Sequence, residues 1–189
     1  MQHETIRAFI AVNLDVSTIR TLAALAGRLR ELDLLPRARW VTPTKMHVTL
    51  RFLGSIDVGV APALADGIRS IVPERALIGV RVSGGISFPS PEAARVVAAQ
   101  IHDDAGELTR LGTRVEDVAD GLGFARSSRT FRPHVTLART NEPLDARPTL
   151  RACDVDVSTV GVTEIALYRT DFARPAAEYT AIARFGLPR

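Results

Sequence analysis

Hydrophobic and polar positions along the 189-residue chain follow the two periods that are typical of β-strands and α-helices. The apolar, β-branched stretch 6–14 predicts a buried strand. Asp15 is a typical helix cap, and the apolar stripe that follows it predicts a helix to about residue 34. A strand over 46–53 comes next, with Gly54 expected to end it, and a second helix covers about 58–72.

The second half of the chain repeats this order of elements. Residues 76–88 predict a strand that closes in a glycine-rich turn, and the two prolines of the stretch FPSPEA that follows predict a loop. A strand over 94–101 and a helix from Asp103 to about Leu122 come next. The stretch RPHVTLART then opens a further strand, and three more are predicted at 154–160, 162–169 and 178–185.

One tetrapeptide, His-Val-Thr-Leu, occurs twice, and its two copies begin at His47 and His134. These are two of only four histidines in the chain. A strand needs alternating apolar residues, but nothing in strand formation requires histidine and threonine between them. The repeated pair therefore indicates chemistry rather than structure.

The elements before each tetrapeptide are also spaced alike. Ile6 lies 41 residues before His47, and Ala94 lies 40 residues before His134. This match predicts an internal duplication, with half-repeats at about 6–53 and 94–139 inside a single domain that spans the chain. Two such units pack naturally about a pseudo-twofold axis, which would bring the two His-x-Thr strands to opposite walls of one cleft.

Composition restricts the classes of protein to consider. The chain has one cysteine, Cys153, and no apolar stretch of the roughly 18 residues that a membrane span needs. We therefore expect a soluble, cytoplasmic protein without disulfides. The net charge of +3 mildly favours an anionic partner, and Lys45 is the only lysine among 24 basic residues. The excess of arginine indicates either an RNA-binding surface or the codon bias of a GC-rich genome.

Residues two apart in a strand share a face, so each strand presents one imidazole and one hydroxyl to the same space. His47 with Thr49 and His134 with Thr136 are these pairs, while the apolar residues between them and Phe52 should face the core. Two imidazoles supply an acid and a base near neutral pH, and the hydroxyls can donate to phosphate oxygens. The arrangement suits an in-line displacement at phosphorus without a metal or other cofactor.

Further residues of the chain are candidates for the same site. Arg132 can share the face of His134 and reach phosphate, although a surface ion pair explains it equally well. Arg51 has the parity of His47 and could line the rim. Three aromatic residues could stack on bases but are more typical of the core: Trp40, Phe88 and Phe131. The stretch His102-Asp103-Asp104 resembles a metal-binding pair, but an aspartate there also fits as a helix cap.

The chain resembles the 2H phosphoesterase superfamily, and within it the bacterial and archaeal RNA 2′,3′-cyclic phosphodiesterases, also called 2′-5′ RNA ligases. The resemblance rests on RAFIAV, RWVTPTKMHVTLRFLG, FPSP, FRPHVTLAR and EIALYRTDFARPAAEYTAIARFGL, which together span nearly the whole chain. It implies an α+β fold with two lobes, built from two pseudo-twofold-related antiparallel sheets with helices outside and a central cleft.

The resemblance also implies the activity and the roles of residues. RNA 2′,3′-cyclic phosphate ends would be hydrolysed to 2′-phosphomonoesters, with reversible 2′-5′ ligation as an additional activity. Separately, we expect the protein to be a monomer. His47 would protonate the leaving O3′, His134 would activate water, and Thr49, Thr136 and Arg132 would hold the substrate. Two alternatives remain: another small cyclic or 2′-5′ linked nucleotide as substrate, or a non-catalytic module that binds RNA ends. Where relatives often have an aromatic residue just after the FPSP loop, this chain has the stretch ARVVAAQI, which leaves its base-binding wall undefined.

Overall fold

The computed structural model describes residues 4–157, 159–171 and 177–188, and within them it is an α+β fold. The strands are β1 (Thr5–Leu14), β2 (Arg39–Trp40), β3 (Val48–Asp57), β4 (Val80–Phe88), β5 (Ala94–Asp103), β6 (His134–Leu144), β7 (Asp156–Val157), β8 (Val162–Asp171) and β9 (Glu178–Gly186). The α-helices are α1 (Val16–Glu31), α2 (Ala61–Ser70), α3 (Glu107–Gly121) and α4 (Arg147–Ala152). The predicted fold class is confirmed.

The strands form one antiparallel sheet that consists of two halves. Its order is β7-β4-β5-β6-β3-β1-β8-β9, and β2 pairs with β6. The two strands that carry the tetrapeptides, β3 and β6, lie side by side at the centre and pair at one position, Val48 with Val135. Between β3 and β6 the two predicted sheets are thus joined by a single residue pair, which the two motifs flank, and β2 of the first half also pairs with β6 of the second.

Strand register is the same in the two halves. In the first half Val12 of β1 pairs with Val48 of β3, which lies 36 residues later (48 − 12). In the second half Ala99 of β5 pairs with Val135 of β6, also 36 residues later (135 − 99). Outward from the junction, the strand order is β3-β1-β8-β9 in one half and β6-β5-β4-β7 in the other. In each half, the strand next to the motif strand, β1 or β5, precedes it in the chain. This identity supports the duplication, which stays a prediction.

The main core lies between the sheet and the helices α1 to α3. It is formed by apolar side chains of all three helices and of the central strands, among them Leu22, Leu25, Leu64, Ile68, Leu108, Ile10, Val48 and Val135. Helix α1 starts at the predicted cap, where the Asp15 carboxylate accepts from the Thr18 amide at 2.7 Å. Helix α3 starts later than predicted, at Glu107 with Gly106 as its N-cap, although the Asp103 carboxylate accepts from the Thr109 amide of the first turn at 2.7 Å. Capping satisfies amide groups that have no partner within the helix.

Some element boundaries were predicted wrongly. Gly54 does not end β3, which continues to Asp57; Gly54 adopts a positive φ of 76° at a register shift and still pairs with Ala8. Glycine tolerates this conformation, so it permits a bulge instead of a turn. Of the predicted strand 154–160 only Asp156–Val157 forms, and Ser158 lies outside the described residues. Helix α4 was missed because six residues are too few to show a helical period.

Candidate active site

The two imidazoles of the repeated motif are held in the same way. Nδ1 of His47 donates to the Lys45 carbonyl at 2.8 Å, and Nδ1 of His134 donates to the Arg132 carbonyl at 2.7 Å. A carbonyl oxygen only accepts hydrogen bonds, so each Nδ1 carries a proton and each Nε2 is the basic atom of the neutral ring. Nε2 of His47 lies 3.1 Å from the Thr49 hydroxyl, which donates to it in that state.

Histidine and threonine of each motif lie on the sheet face opposite the helices. The intervening residues Val48, Leu50, Val135 and Leu137 are buried in the main core, so alternation turns His47, Thr49, His134 and Thr136 to the other face. Because β3 and β6 meet at Val48 and Val135, the two imidazoles flank one junction. The charge of His134 contributes to lowering the pKa of His47, as expected for neighbouring groups.

A β-bulge follows the motif in β3. Ala11 pairs with Thr49 and the next residue back, Ile10, pairs with Arg51, so Leu50 has no partner of its own. One unpaired residue reverses the alternation of side chains beyond it. Residues after Leu50 therefore face the opposite way from the one that simple alternation predicts.

The same bulge occurs in β6. Ala98 pairs with Thr136 and Val97 pairs with Ala138, so Leu137 is the unpaired residue. Ala138 is consequently buried with the core side chains, and the next residue, Arg139, turns to the face of the histidines. The two bulges place the fifth residue after each histidine, Phe52 and Arg139, beside the site.

Two expectations about β3 are corrected by its bulge. Phe52 does not enter the core; its side chain is 64% exposed and its ring centroid lies 6.0 Å from that of Phe9 on the site face. Arg51 does not line the rim but points towards α3, where its guanidinium lies 3.2 Å from the Glu116 carboxylate and also donates to the Ala125 carbonyl. A bulge has no hydrophobic signature, so the pattern of the sequence did not reveal it.

Arg139 is a site residue that sequence reasoning missed. Its positive charge is a cause of the lowered pKa of both His47 and His134, in agreement with its position on the face of the histidines. The sequence did contain a signal. The two tetrapeptides align position by position, so the fifth residue after each histidine can be compared between the two copies. Phe52 and Arg139 occupy that position.

Three aromatic rings surround His47. Phe9 stacks on the imidazole at 5.0 Å between centroids, the edge of Tyr179 approaches at 5.6 Å, and Tyr168 lies at 6.3 Å. Burial lowers the pKa of His47 to about 4, although the bond to the Lys45 carbonyl opposes the shift. In the free protein His47 is therefore neutral at physiological pH.

His134 has a different surrounding. The Phe88 ring lies 4.6 Å from its imidazole, and the guanidinium of Arg132 lies 5.2 Å from the centroid of the same ring. Burial lowers the pKa of His134, and the charges of Arg139 and Arg132 act in the same direction. Arg132 thus lies close to the site, and its exposed side chain packs against the Phe88 ring.

The remaining candidates lie elsewhere. Trp40 and Phe131 pack against the core, while a ring nitrogen of His102 contacts the Ser83 carbonyl at 3.3 Å. Burial raises the pKa of the Cys153 thiol to about 11, so it is not a nucleophile.

Within residues 4–157, 159–171 and 177–188, no group of three or more His, Cys, Asp or Glu side chains could hold a metal ion. No helix in those ranges is long and apolar enough to span a membrane.

The sequence is similar to a known protein family and to named relatives. Residues 12–98 match the family described as LigT-like phosphoesterase. An RNA 2′,3′-cyclic phosphodiesterase of Aeropyrum pernix is 34% identical over 146 residues, which cover 75% of this chain and 82% of the relative. The chain belongs to the LigT-like phosphoesterases. It is thus an enzyme of the 2H phosphoesterases, as the two motifs predicted.

Solved structures with the same fold are also known. A protein of Thermus thermophilus superposes with a TM-score of 0.75 at 26% identity, covering 96% of this chain and 98% of the other. The LigT of Escherichia coli complexed with 3′-AMP superposes with a TM-score of 0.72 at 24% identity, covering 98% and 100%. The second likeness concerns the fold only.

Proposed function

We propose that this LigT-like phosphoesterase hydrolyses the 2′,3′-cyclic phosphate at the end of RNA to a 2′-phosphomonoester. The observation that supports it best is the pairing of Val48 with Val135, which sets two identically held imidazoles beside one junction. Relatives of this family carry the name RNA 2′,3′-cyclic phosphodiesterase. An acid and a base on either side of one phosphate are what the reaction requires.

The proposed reaction is a single displacement at phosphorus. Nε2 of His134 takes a proton from water as the water oxygen bonds to phosphorus. The bond from phosphorus to O3′ breaks, and the proton on Nε2 of His47 passes to the departing O3′. The free enzyme then regains its proton distribution when His134 loses a proton to solvent and His47 gains one. No metal or other cofactor takes part in this proposal.

Charge development at phosphorus is stabilised by the neighbouring donors. Arg139 turns to the face of the imidazoles, its charge lowers the pKa of both, and it would offer its guanidinium to the non-bridging oxygens, which carry the negative charge. Thr49 and Thr136 would donate their hydroxyl protons to the same oxygens. Arg132 remains a substrate-binding candidate near His134, where it could contact the RNA backbone.

Protonation of His47 depends on the substrate in this scheme. Burial keeps its imidazole neutral in the free enzyme, since its pKa is about 4. A phosphate anion between the two rings raises the pKa of the donor, because the opposite charge favours the imidazolium form. Substrate binding would therefore load the acid with its proton.

The deciding experiment is an assay with purified adenosine, uridine, guanosine and cytidine 2′,3′-cyclic phosphates, with and without a chelator. We expect 2′-monophosphates as products, separated from the 3′-isomers by chromatography, at rates that the chelator does not change. Formation of 3′-monophosphates, or loss of activity that a divalent ion restores, would contradict the proposal. Adding an RNA with a 5′-hydroxyl end tests ligation, because that hydroxyl can replace water in the same displacement. A parallel assay with 3′,5′-cyclic nucleotides tests the alternative substrate class, which conversion of these compounds alone would favour.

A further inference from the structure

A polar pocket of about 210 Å³ adjoins His47 on the side of β8 and β9. Its walls include Asn13, Lys45, His47, Tyr168, Glu178 and Arg184. None of the proposed catalytic steps uses this pocket, although it shares His47 with the site. Its volume is below the range of pockets that hold whole drug-sized ligands, so it suits a single ring or sugar.

Lys45 gives the pocket a free donor. Its ammonium donates to the Ala177 carbonyl at 2.9 Å and to the Glu178 carboxylate at 2.7 Å. An ammonium has three N–H groups, so one is left without an acceptor among the residues that the structure describes and can donate to a ligand. Lys45 is also the only lysine in a chain whose other basic residues are all arginine. Neither explanation of the arginine excess, an RNA-binding surface or codon bias, gives a reason for a lysine at this position.

Tyr168 and Glu178 add a second donor and an acceptor. The Asn13 amide donates to the Tyr168 hydroxyl oxygen at 2.7 Å, which leaves the hydroxyl proton for a ligand. The Glu178 side chain is 60% exposed, and only one of its carboxylate oxygens pairs with Lys45. The pocket thus offers donors and acceptors together.

The charges in and around the pocket are balanced. Lys45 pairs with Glu178, and Arg184 pairs with Glu164, a residue that also accepts from the Asn13 amide. A balanced set of this kind has no excess charge for a phosphate. It fits a neutral ligand that both donates and accepts, which is the chemistry of a nucleobase or a ribose.

We propose that this pocket binds the base or ribose of the nucleotide that precedes the cyclic phosphate end of the RNA. The proposal rests on the proposed function, because an RNA end continues as a chain away from the phosphate. His47 borders both spaces, so the next nucleotide can occupy the pocket while the phosphate lies at Nε2. The enzyme would then prefer an oligonucleotide end to a mononucleotide.

The test measures binding separately from turnover. Calorimetry would compare adenosine 2′-phosphate with the dinucleotide ApA that ends in a 2′-phosphate, and with the same dinucleotide lacking its first base. For the unmodified enzyme we expect the complete dinucleotide to bind about tenfold tighter than the mononucleotide, as two added hydrogen bonds would give. The abasic ligand shows whether the base or the ribose supplies that gain.

Two variants locate the effect in the pocket. Tyr168→Phe removes one hydroxyl and Lys45→Met removes the ammonium; each should reduce the tenfold ratio about threefold or more. The control is Arg81→Met on β4, which breaks an exposed ion pair with Asp104 and should keep the ratio. Equal affinity for both ligands, no binding of either, or ratios unchanged in both pocket variants would overturn the proposal. A persistent ratio in an enzyme that hydrolyses no cyclic phosphate would support the pocket and contradict the proposed function.

Discussion

Phe52 and Arg139 occupy equivalent positions in the two halves of the sheet. Phe52 pairs with Phe9 and Arg139 pairs with Val96, and each pair is separated by 43 residues (52 − 9 and 139 − 96). Each residue lies five positions after the histidine of its strand and turns to the site because of the preceding bulge. One half thus presents an aromatic ring where the other presents a guanidinium, so the two halves differ in what they offer to substrate.

Arg139→Met should lower kcat/KM for a 2′,3′-cyclic nucleotide by about a hundredfold or more, the effect of removing one donor to a developing oxyanion. The variant should also raise the pKa of both His47 and His134, since the charge of Arg139 lowers both. Steady-state kinetics and an NMR titration of the histidines would measure the two effects. Arg114→Met, on the exposed side of α3, is the control. Unchanged histidine titrations in Arg139→Met would remove Arg139 from the site.

Phe52→Ala and Phe9→Ala should have opposite consequences. Phe52 is exposed, so its removal should leave the melting temperature nearly unchanged while it weakens substrate binding by about 1–3 kcal/mol, the value of stacking on a base. Phe9 is buried against His47 and Tyr168, so its removal should destabilise the fold by about 3–5 kcal/mol. Thermal melting and KM measured on the same samples distinguish the two. A Phe52→Ala variant with the parental KM would show that no base stacks there.

His47 should make the fold less stable as the pH falls. Its pKa is about 4 in the folded state and about 6.5 when unfolded, so the unfolded chain binds the proton first. The contribution of His47 to the free energy of unfolding is therefore fully present above pH 6.5 and is lost as the pH falls through about 4. Between pH 7 and pH 4.5 this amounts to about 2 kcal/mol.

Urea unfolding of the unmodified enzyme and of His47→Gln at both pH values measures this contribution. The variant should lose less stability than the parent over the same interval, because glutamine does not titrate. Equal losses would mean that His47 titrates normally in the folded enzyme.

The order of the main elements, the cap of α1 at Asp15 and the shared face of the four motif residues could be predicted from the sequence, because each depends on local chemistry. The orientation of Phe52, Arg51 and Arg139 could not. It depends on bulges at Leu50 and Leu137, which arise from how β3 and β6 pair with neighbours distant in the chain. The aromatic surrounding of His47 has the same origin, since Tyr168 and Tyr179 reach it from β8 and β9.

The assignment of His47 as acid and His134 as base can be tested with a substrate whose leaving group needs no proton. In 3′-deoxyadenosine 2′-(4-nitrophenyl phosphate) the nitrophenolate takes the place of O3′. His47→Ala should lose about a hundredfold or more on the cyclic phosphate, yet stay within about tenfold of the parent on this substrate. His134→Ala should lose activity on both, because water still has to be deprotonated. On the cyclic phosphate the double variant should be little slower than either single one, since the pair acts as a unit.

A physical argument also exists for exchanged roles, with His47 as the base and His134 as the acid. In the free enzyme the pKa of His47 lies at about 4, and a ring that is already neutral is ready to act as a base. The proposed assignment therefore requires that the bound phosphate raise the pKa of His47 more than that of His134. Rescue of His134→Ala by nitrophenolate, with none for His47→Ala, would show that the two roles are exchanged. An NMR titration of a complex with 2′-AMP gives an independent measurement, and His47 should take up the proton first as the pH falls.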